Sequence, residues 1–345
     1  MLQILVAIFG LSLLVIVHEA GHYLMARAFG IRVTRFSIGF GPVLVKYQPK
    51  GSPTVFQVCA IPFLAYVMIA GMNPAEDVDP NDPGLYPNKS ILARTLTIFG
   101  GPFANYLAAS VMIFGLALSG WRVDVPTEPM VVDAVEPGSP AARAGLRSGD
   151  TILEANGKSI RNVKELIDVT SPRAGQVTSY VIKRDGELLP ALQITPRMIE
   201  GRGVIGVSPR DEAHYRALPV SEAATLAVSL PWVLTVRNLE GMVDLIRRRS
   251  TEGITGPVGM GKLVAQQAEK GVYAFVWILV LISVALGYFN LLPFPALDGG
   301  RLMFLGYEII TRRRPNERIE AAIHTVGLLF LIGVIALVTL RDVVG

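Results

Sequence analysis

Apolar residues are concentrated in four stretches of the chain, and polar residues lie mostly between them. The first stretch, Leu2–Val17, is interrupted only by Gln3 and Ser12. The other three stretches are uncharged and cover Leu96–Leu118, Val272–Leu292 and Ala322–Leu340. Because a helix needs about 20 largely apolar residues to cross a bilayer, the pattern predicts four transmembrane helices, the first continuing to about Phe29. The first stretch lacks the basic start and the small-residue cleavage site of a secretory signal peptide.

A shorter apolar stretch, Ala223–Val236, contains Pro231 and is too short for an ordinary span. Apolar residues continue beyond it at helical spacing, and the segment ends in the basic run Arg247–Arg249. Two interpretations stay open. The segment is either an amphipathic helix lying on the membrane surface or a helix that packs on a soluble domain.

The segment from Val125 to about Arg210 is charged and rich in glycine and proline, with turn signals such as Asn156-Gly157 and Asp185-Gly186. This pattern predicts a compact, water-soluble, β-rich domain inserted between the second and third spans. Its expected elements are the strands Met130–Val135, Thr151–Ala155 and Val177–Lys183 and the short helix Pro140–Leu146.

The composition agrees with a membrane protein. Of the 345 residues, 51% are hydrophobic and only 17% are charged, whereas soluble domains carry about 25% charged residues. High hydrophobicity also excludes an intrinsically disordered chain. The single cysteine, Cys59, excludes an intrachain disulfide and any site with several cysteine ligands. A net charge of +4 gives no indication of nucleic-acid binding.

Basic residues in the short loops predict the orientation, because Lys and Arg accumulate in cytoplasmic loops. They follow the first span (Arg32, Arg35, Lys46, Lys50, Lys89, Arg94) and the third span (Arg301, Arg312, Arg313, Arg314, Arg318). In contrast, no Lys or Arg precedes Arg27, and only Arg341 follows the fourth span. We therefore expect both short loops in the cytoplasm, and the β-rich domain and both termini outside.

The end of the first span carries His18, Glu19 and His22 in an HExxH pattern. Histidines at positions i and i+4 share one face of a helix, so both imidazoles can bind one Zn²⁺ ion. The glutamate between them suits a general base that acts on a metal-bound water. Ionisable side chains inside a span are costly unless they have a function, which strengthens the prediction of a zinc site.

A catalytic zinc site uses three protein ligands and one open position. Asp298, in the segment after the third span, is the favoured third ligand. His214 lies in the soluble region, and His324 is expected to be a helix-end residue of the fourth span, so both are poorer candidates.

The predicted topology supports this choice. Pro293 and Pro295 are expected to break the helix just before Asp298. Because the first and third spans run in the same direction, His18, His22 and Asp298 can meet near the cytoplasmic side. A fifth span before the third would place the aspartate on the opposite side, so the site argues for four spans.

Five short motifs follow one another along the chain: HEAGH at 18–22, SIGFGP at 37–42, GPFAN at 101–105, GPVG at 256–259 and NLLPFPALDGG at 290–300. Together they resemble the site-2 protease family of intramembrane zinc metalloproteases, especially its bacterial RseP-like members. The resemblance covers nearly the whole chain. It implies that His18, His22 and Asp298 bind Zn²⁺, that Glu19 is the catalytic base, and that the protein lies in the bacterial inner membrane.

The same resemblance implies a set of substrate-binding residues. Asn290, Pro293 and Pro295 match positions that hold the substrate segment. Asn105 either contacts the substrate or packs as an amide between helices. The implied substrates are single-span membrane proteins, such as membrane-anchored anti-sigma factors, or signal-peptide remnants.

Residues 135–150, with the sequence VEPGSPAARAGLRSGD, resemble the PDZ domain of this family. Such domains bind an extended peptide at a sheet edge, sometimes through its C-terminal carboxylate. Peptide tails are therefore expected partners. One PDZ domain is predicted here, whereas RseP-like relatives can carry two.

A membrane-associated β-hairpin is predicted over about residues 31–72, with strands at Val55–Ala60 and Tyr66–Ala70. In the family this element presents an edge to the extended substrate. Relatives usually have two glycines before the Tyr-Val pair, whereas Phe63–Ala65 precede it here. The bulkier side chains are expected to narrow this approach or to alter specificity.

The predicted fold class is a polytopic α-helical membrane protein with a β-hairpin and an inserted PDZ-like domain. Its predicted parts are spans one and two with the hairpin (1–120), the PDZ-like domain (121–210), an interfacial linker (211–270) and spans three and four (271–345). The predicted function is intramembrane zinc endopeptidase. The alternative is a non-catalytic scaffold that binds periplasmic peptides through its PDZ domain. A metal transporter is disfavoured because the ionisable residues cluster at one depth.

Overall fold

The computed structural model describes residues 2–73, 79–126, 129–199, 201–248 and 256–344. The chain forms two compact units, one made of residues 1–118 and 218–345 and the other of residues 119–217. The helices are α1 (Leu2–Ala28), α2 (Ile91–Gly120), α3 (Pro140–Arg143), α4 (Val163–Thr170), α5 (Val220–Arg248), α6 (Pro257–Glu269), α7 (Val272–Leu291), α8 (Asp298–Thr311) and α9 (Glu317–Val344). The strands are β1 (Val33–Tyr47), β2 (Val55–Ile69), β3 (Trp121–Pro126), β4 (Val132–Val135), β5 (Thr151–Ala155), β6 (Lys158–Ser159), β7 (Thr178–Arg184), β8 (Glu187–Leu188), β9 (Leu192–Ile194), β10 (Arg197–Ile199), β11 (Arg202–Val204), β12 (Val207–Pro209) and β13 (Asp211–Arg216).

Within the described ranges, four helices are long and apolar enough to cross a membrane: α1, α2, α7 and most of α9. Each predicted span therefore corresponds to a helix of sufficient length and hydropathy, and the arrangement of the four in a membrane stays a prediction. Many of their large apolar side chains are exposed, for example Phe9 of α1 and Leu107 of α2. Such exposure suits a helix surrounded by lipid tails, which are as apolar as leucine itself.

The fifth apolar stretch forms α5, a continuous helix that contains Pro231. Its small side chains Ala223 and Ala227 are buried. Thr235 is also buried, and its hydroxyl lies 2.7 Å from the hydroxyl of Tyr106 on α2. One face of α5 therefore packs within the first unit, and its position relative to the membrane surface stays a prediction.

In the β1–β2 sheet, the first half of β1 lies between the two halves of β2. Phe36 of β1 pairs with Val67 on one side and with Phe56 on the other. The second half of β1 pairs only with the first half of β2, for example Tyr47 with Phe56. The half of β2 that contains Val67 therefore lies at the outside of the sheet, and no described strand pairs with its other edge.

The predicted hairpin is correct in place but wrong in its strand bounds. Two strands were expected between residues 55 and 70, whereas β2 is continuous. The reason is that Ile61 pairs with Phe40 and Ala65 pairs with Ile38, so the backbone stays extended. The side chain of Phe63 lies outside the described residues, and its predicted effect on specificity stays a prediction.

The second unit contains a five-stranded sheet in the order β6-β5-β7-β8, with β9 also paired to β7. Its core includes Ile152, Tyr180 and Ile182, and helices α3 and α4 pack against it. Helix α3 starts where predicted, because Ser139 caps it by accepting a hydrogen bond from the N–H of Ala142 and a proline follows. The helix ends at Arg143, three residues before the predicted end. All three predicted strands are present: β5 has the predicted bounds, while β4 starts two residues later and β7 is shifted by one residue.

The predicted linker from residue 211 begins too early. Residues 211–216 form β13, which pairs antiparallel with β3 along its whole length. A strand whose partner lies about 90 residues away has no local sequence signal, since pairing depends on tertiary context.

Inside the second unit, Asp150 is completely buried and forms an ion pair with Arg184 at 2.6 Å. Burial alone would raise the pKa of the Asp150 carboxyl, but hydrogen bonds from Arg184 and from the backbone of Arg147 outweigh it and lower the pKa.

We expect Asp150→Asn to lower the free energy of unfolding of this unit by about 1.5–3 kcal/mol at neutral pH, since the hydrogen bonds involve charged groups. The difference should begin to shrink when the pH falls below about 4, because the carboxyl of the unfolded chain takes up its proton there. It should shrink further until the pH has fallen below the lower pKa of the folded carboxyl.

This prediction can be checked on the full chain in detergent by hydrogen-exchange mass spectrometry of peptides from β5 and β7, comparing the variants at the same pH. Asp133→Asn is a matched control, because Asp133 is exposed and lies 3.9 Å from Arg210. Equal protection of the wild type and Asp150→Asn at neutral pH would contradict the prediction.

Candidate metal centre

Helix α1 continues without a break through the HExxH pattern, so His18 and His22 lie on one face. Both are buried, with 8% and 7% of their surface exposed. Their Nε2 atoms lie 3.2 Å apart, and the rings meet edge to face. The two nitrogen atoms can therefore bind one ion.

Asp298 is the first residue of α8, after a loop that contains Pro293 and Pro295. The glycines that follow allow this arrangement. A side chain at Gly299 would overlap the carbonyl of Leu292, and one at Gly300 would lie 2.5 Å from the carbonyl oxygen of Phe294. The LDGG sequence thus lets α8 begin directly against the loop.

The Oδ2 atom of Asp298 completes a triangle with the two histidines. It lies 3.2 Å from Nε2 of His18 and 3.3 Å from Nε2 of His22. Zinc–ligand bonds of about 2.0–2.1 Å in tetrahedral geometry separate the ligand atoms by about 3.3 Å. Oδ2 is also buried and receives no hydrogen bond from the described residues. These three residues therefore fit a single zinc ion with one position left open.

Contacts behind the histidines orient their rings. Nδ1 of His22 donates a hydrogen bond to the carbonyl oxygen of Thr97 at 2.9 Å, which leaves the Nε2 lone pair for a metal. Nδ1 of His18 lies 3.1 Å from Nδ2 of Asn105, a fully buried amide whose Oδ1 has no partner among the described residues. Turning this amide by 180° brings Oδ1 to the Nδ1–H of a metal-binding His18 and satisfies both groups.

Three glycines allow α1 and α2 to approach closely at the site. A Cβ atom at Gly21 would overlap the carbonyl oxygen of Gly100. A Cβ atom at Gly101 would overlap Nε2 of His22 and lie 2.9 Å from Cε1 of His18. The GG-P sequence of α2 therefore provides the space in which the ligand atoms sit.

A cavity of about 460 Å³ lies beside the ligands. Glu19, Asn290 and Arg301 contribute to its wall, together with the Tyr66–Ile69 segment of β2. The candidate base and the segment of β2 with the unpaired edge thus line the same cavity as the ligands.

The predicted substrate residues take different positions. Asn290 lines the cavity, although its Nδ2 donates to the carbonyl oxygen of Leu286 in its own helix at 2.9 Å. Pro293 is exposed outside the cavity wall. Pro295 packs where α9 carries Gly327. Their contacts with a substrate stay predictions, and Asn105 lies behind His18 instead of on the wall.

His324 is not in the group of candidate ligands found among the described residues. The side chain of His214 lies outside those residues, so its exclusion stays a prediction. His324 lies well inside α9, and its Nδ1 accepts a hydrogen bond from the N–H of Ala296 at 3.0 Å. Its expected place at a helix end is therefore wrong.

Sequence reasoning missed Thr97, Gly101 and Arg301. The contribution of Thr97 is a backbone carbonyl, which any residue can supply, so no sequence signal exists. Arg301 had a usable signal, because it follows Asp298 by three residues on one helix and hence shares its face.

A buried ion pair holds α8 against α2. Nη1 and Nη2 of Arg94 donate to the two carboxylate oxygens of Glu308 at 2.9 and 2.7 Å. Both side chains are about nine-tenths buried. Since bidentate arginine–carboxylate pairs constrain geometry as well as charge, the pair helps to fix the helix that starts with Asp298.

Several known proteins resemble this chain in sequence. A protein of Nostoc sp., whose name describes it as a predicted zinc metalloprotease, is 32% identical over 96% of this chain and 93% of its own length. Metalloprotease MmpA of Caulobacter vibrioides is 31% identical over 94% of this chain and 91% of its own length. A solved PDZ domain of the SdrC-like protein from Listeria monocytogenes is 25% identical, with a TM-score of 0.22, and covers 25% of this chain and 93% of that chain.

The model of peptidase family M50 matches residues 6–334, which include all three candidate ligands, the second and third candidate spans and most of the first and fourth. This confirms the resemblance drawn from the motifs and sets aside a non-catalytic scaffold. The chain belongs to peptidase family M50, the site-2 protease family, and is a membrane metalloprotease.

Proposed function

We propose that this metalloprotease uses Zn²⁺ to cleave the transmembrane segments of single-span membrane proteins. The observation that carries the proposal is the shared cavity. It is lined by Glu19, by the triangle of His18, His22 and Asp298, and by the Tyr66–Ile69 segment of β2, which has an unpaired edge. A hydrolytic centre and a surface for an extended peptide therefore lie side by side.

The residues divide the chemistry among them. Zinc held by the three ligands would polarise the scissile carbonyl and make water more acidic. The carboxylate of Glu19 is placed to take a proton from water and to deliver it to the leaving amide nitrogen. Thr97 and Asn105 hold the imidazole rings in the required tautomer and direction.

A transmembrane helix resists proteolysis because its amides are hydrogen-bonded internally, so it must unwind locally before attack. The edge of Tyr66–Ile69 offers backbone groups that can replace the lost helical hydrogen bonds. We infer that the substrate unwinds beside β2 and lies across the cavity as an added strand.

The distribution of basic residues supports the proposed location. We infer that the protein lies in the bacterial inner membrane with its metal centre toward the cytoplasm and its second unit, a PDZ-like domain, outside. That domain is a candidate site for peptide tails. Membrane-anchored anti-sigma factors and signal-peptide remnants are the proposed substrate classes.

The test uses the purified full chain in detergent with a single-span protein as substrate. We expect cleavage inside the apolar segment, mapped by mass spectrometry of the products. The activity should be lost when a chelator removes zinc and should return when Zn²⁺ is added.

The outcomes separate the parts of the proposal. Cleavage confined to the soluble flanks of the substrate would refute the intramembrane reaction. Undiminished cleavage by protein shown to be free of metal would refute the role of zinc.

A further inference from the structure

Helix α9 contacts the loop before Asp298 through residues about one helical turn apart. His324 accepts a hydrogen bond from Ala296, and the Phe330 ring lies 5.8 Å from that of Phe294. Between them, Gly327 leaves no room for a side chain, because a Cβ atom there would overlap Pro295. Successive turns of α9 therefore contact Ala296, Pro295 and Phe294 in turn, so the helix and the loop run in opposite directions.

The loop needs such support at Ala296. This residue has a φ of +77°, a conformation that side chains other than glycine rarely adopt unless their surroundings impose it. Its N–H donates to His324, while the neighbouring turn is closed by the N–H of Leu297 and the carbonyl of Phe294 at 3.2 Å. Ala296 lies two residues before Asp298, so its conformation sets the direction in which α8 and the carboxylate leave the loop.

The rest of α9 makes few contacts of this kind. Only 6% of the residues in its most apolar 18-residue stretch are buried. Side chains such as Val326 and Leu329 are about two-thirds exposed. A second attachment lies near its end, where Asp342 accepts a hydrogen bond from the N–H of Gly259 at 2.8 Å. Apart from the ring contact of His324 with Phe304 of α8, the specific contacts described for the middle of α9 thus lie on the loop that precedes the third ligand.

We propose that His324 is a positioning residue for the metal centre. Its Nδ1 acceptor holds Ala296 in its unusual conformation and thereby keeps the Asp298 carboxylate in the ligand triangle. Gly327 assists by letting α9 reach the loop. The inference rests on the proposed zinc site, and it gives the fourth span a direct part in metal binding although that span supplies no ligand.

The test measures zinc affinity of the full chain in detergent by competition with a chelating dye, and the absorption spectrum of the Co²⁺-substituted protein. We expect His324→Leu to bind zinc about tenfold more weakly and to change the Co²⁺ spectrum, as loss of an outer contact does at other sites. His324→Asn should restore both properties, because its Oδ1 can replace Nδ1 as acceptor. Thr325→Val is the matched control, since the Thr325 hydroxyl donates to the Ala321 carbonyl of its own helix.

A His324→Leu protein with wild-type affinity and spectrum would overturn the proposal, and so would a His324→Asn protein as weak as His324→Leu. If His324→Leu does not fold, Gly327→Ala and Leu329→Ala decide the matter. Gly327→Ala should weaken zinc binding about tenfold and Leu329→Ala should not, and equal affinities would again overturn the proposal. Failure of the wild type to bind zinc would instead refute the proposed function.

Discussion

Replacement of Glu19 by glutamine is expected to slow peptide cleavage by about 10²–10⁴-fold, the usual contribution of a general acid–base residue. Glutamine keeps the size of the side chain and can still accept hydrogen bonds, but it cannot take up the proton of water. Because Glu19 is not one of the three ligands, the zinc content should stay unchanged.

The rate is measured with a single-span substrate, and zinc is measured in the same preparations by atomic absorption. Glu222→Gln provides the control, as it removes an exposed carboxylate from the first turn of α5. Cleavage by Glu19→Gln at the wild-type rate would show that another group is the base. Loss of zinc together with activity would show that Glu19 mainly supports the metal.

Substitution of Gly101 by alanine is expected to abolish zinc binding and with it all cleavage. The added methyl group would overlap Nε2 of His22, the atom that faces the metal. Neither histidine can easily turn away, because both are buried and their Nδ1 atoms are engaged by Thr97 and Asn105. The overlap is therefore expected to displace Nε2 of His22 from the triangle of ligand atoms.

Gly115→Ala is a closely matched control in the same helix. A Cβ atom at Gly115 meets nothing within 4 Å, and alanine favours a helix over glycine by about 1 kcal/mol. We expect this variant to keep one zinc per chain and full activity. Stoichiometric zinc in Gly101→Ala would contradict the geometry of the centre.

Much of the metal centre could be predicted from the sequence. The spacing of His18 and His22 needs only the periodicity of a helix, and the interruption of the third span by two prolines points to Asp298. Residues on regular helices follow from periodicity, because neighbours in space are three or four apart in sequence. The four long apolar helices were predictable for a related reason, since a helix that crosses a bilayer needs about 20 apolar residues.

Features that depend on tertiary contacts leave no periodic signal. The continuous strand β2 follows from the pairing of Ile61 and Ala65 with β1, which local sequence does not specify. The role of His324 depends on a hydrogen bond to a residue 28 positions away. A lone histidine in an apolar helix can face lipid, a neighbouring helix or a loop, so the sequence does not indicate its partner.

The unpaired edge of β2 has a consequence for how much of a substrate the enzyme must disturb. The part of β2 that lines the cavity, Tyr66–Ile69, is four residues long, and a strand rises about 3.4 Å per residue, so the substrate strand proposed above would pair over roughly 14 Å. A substrate would then have to give up little more than one helical turn, while the remainder of its span stays helical. Selectivity would depend on how readily that single turn melts, so a glycine or proline near the cut should matter more than the identity of distant residues.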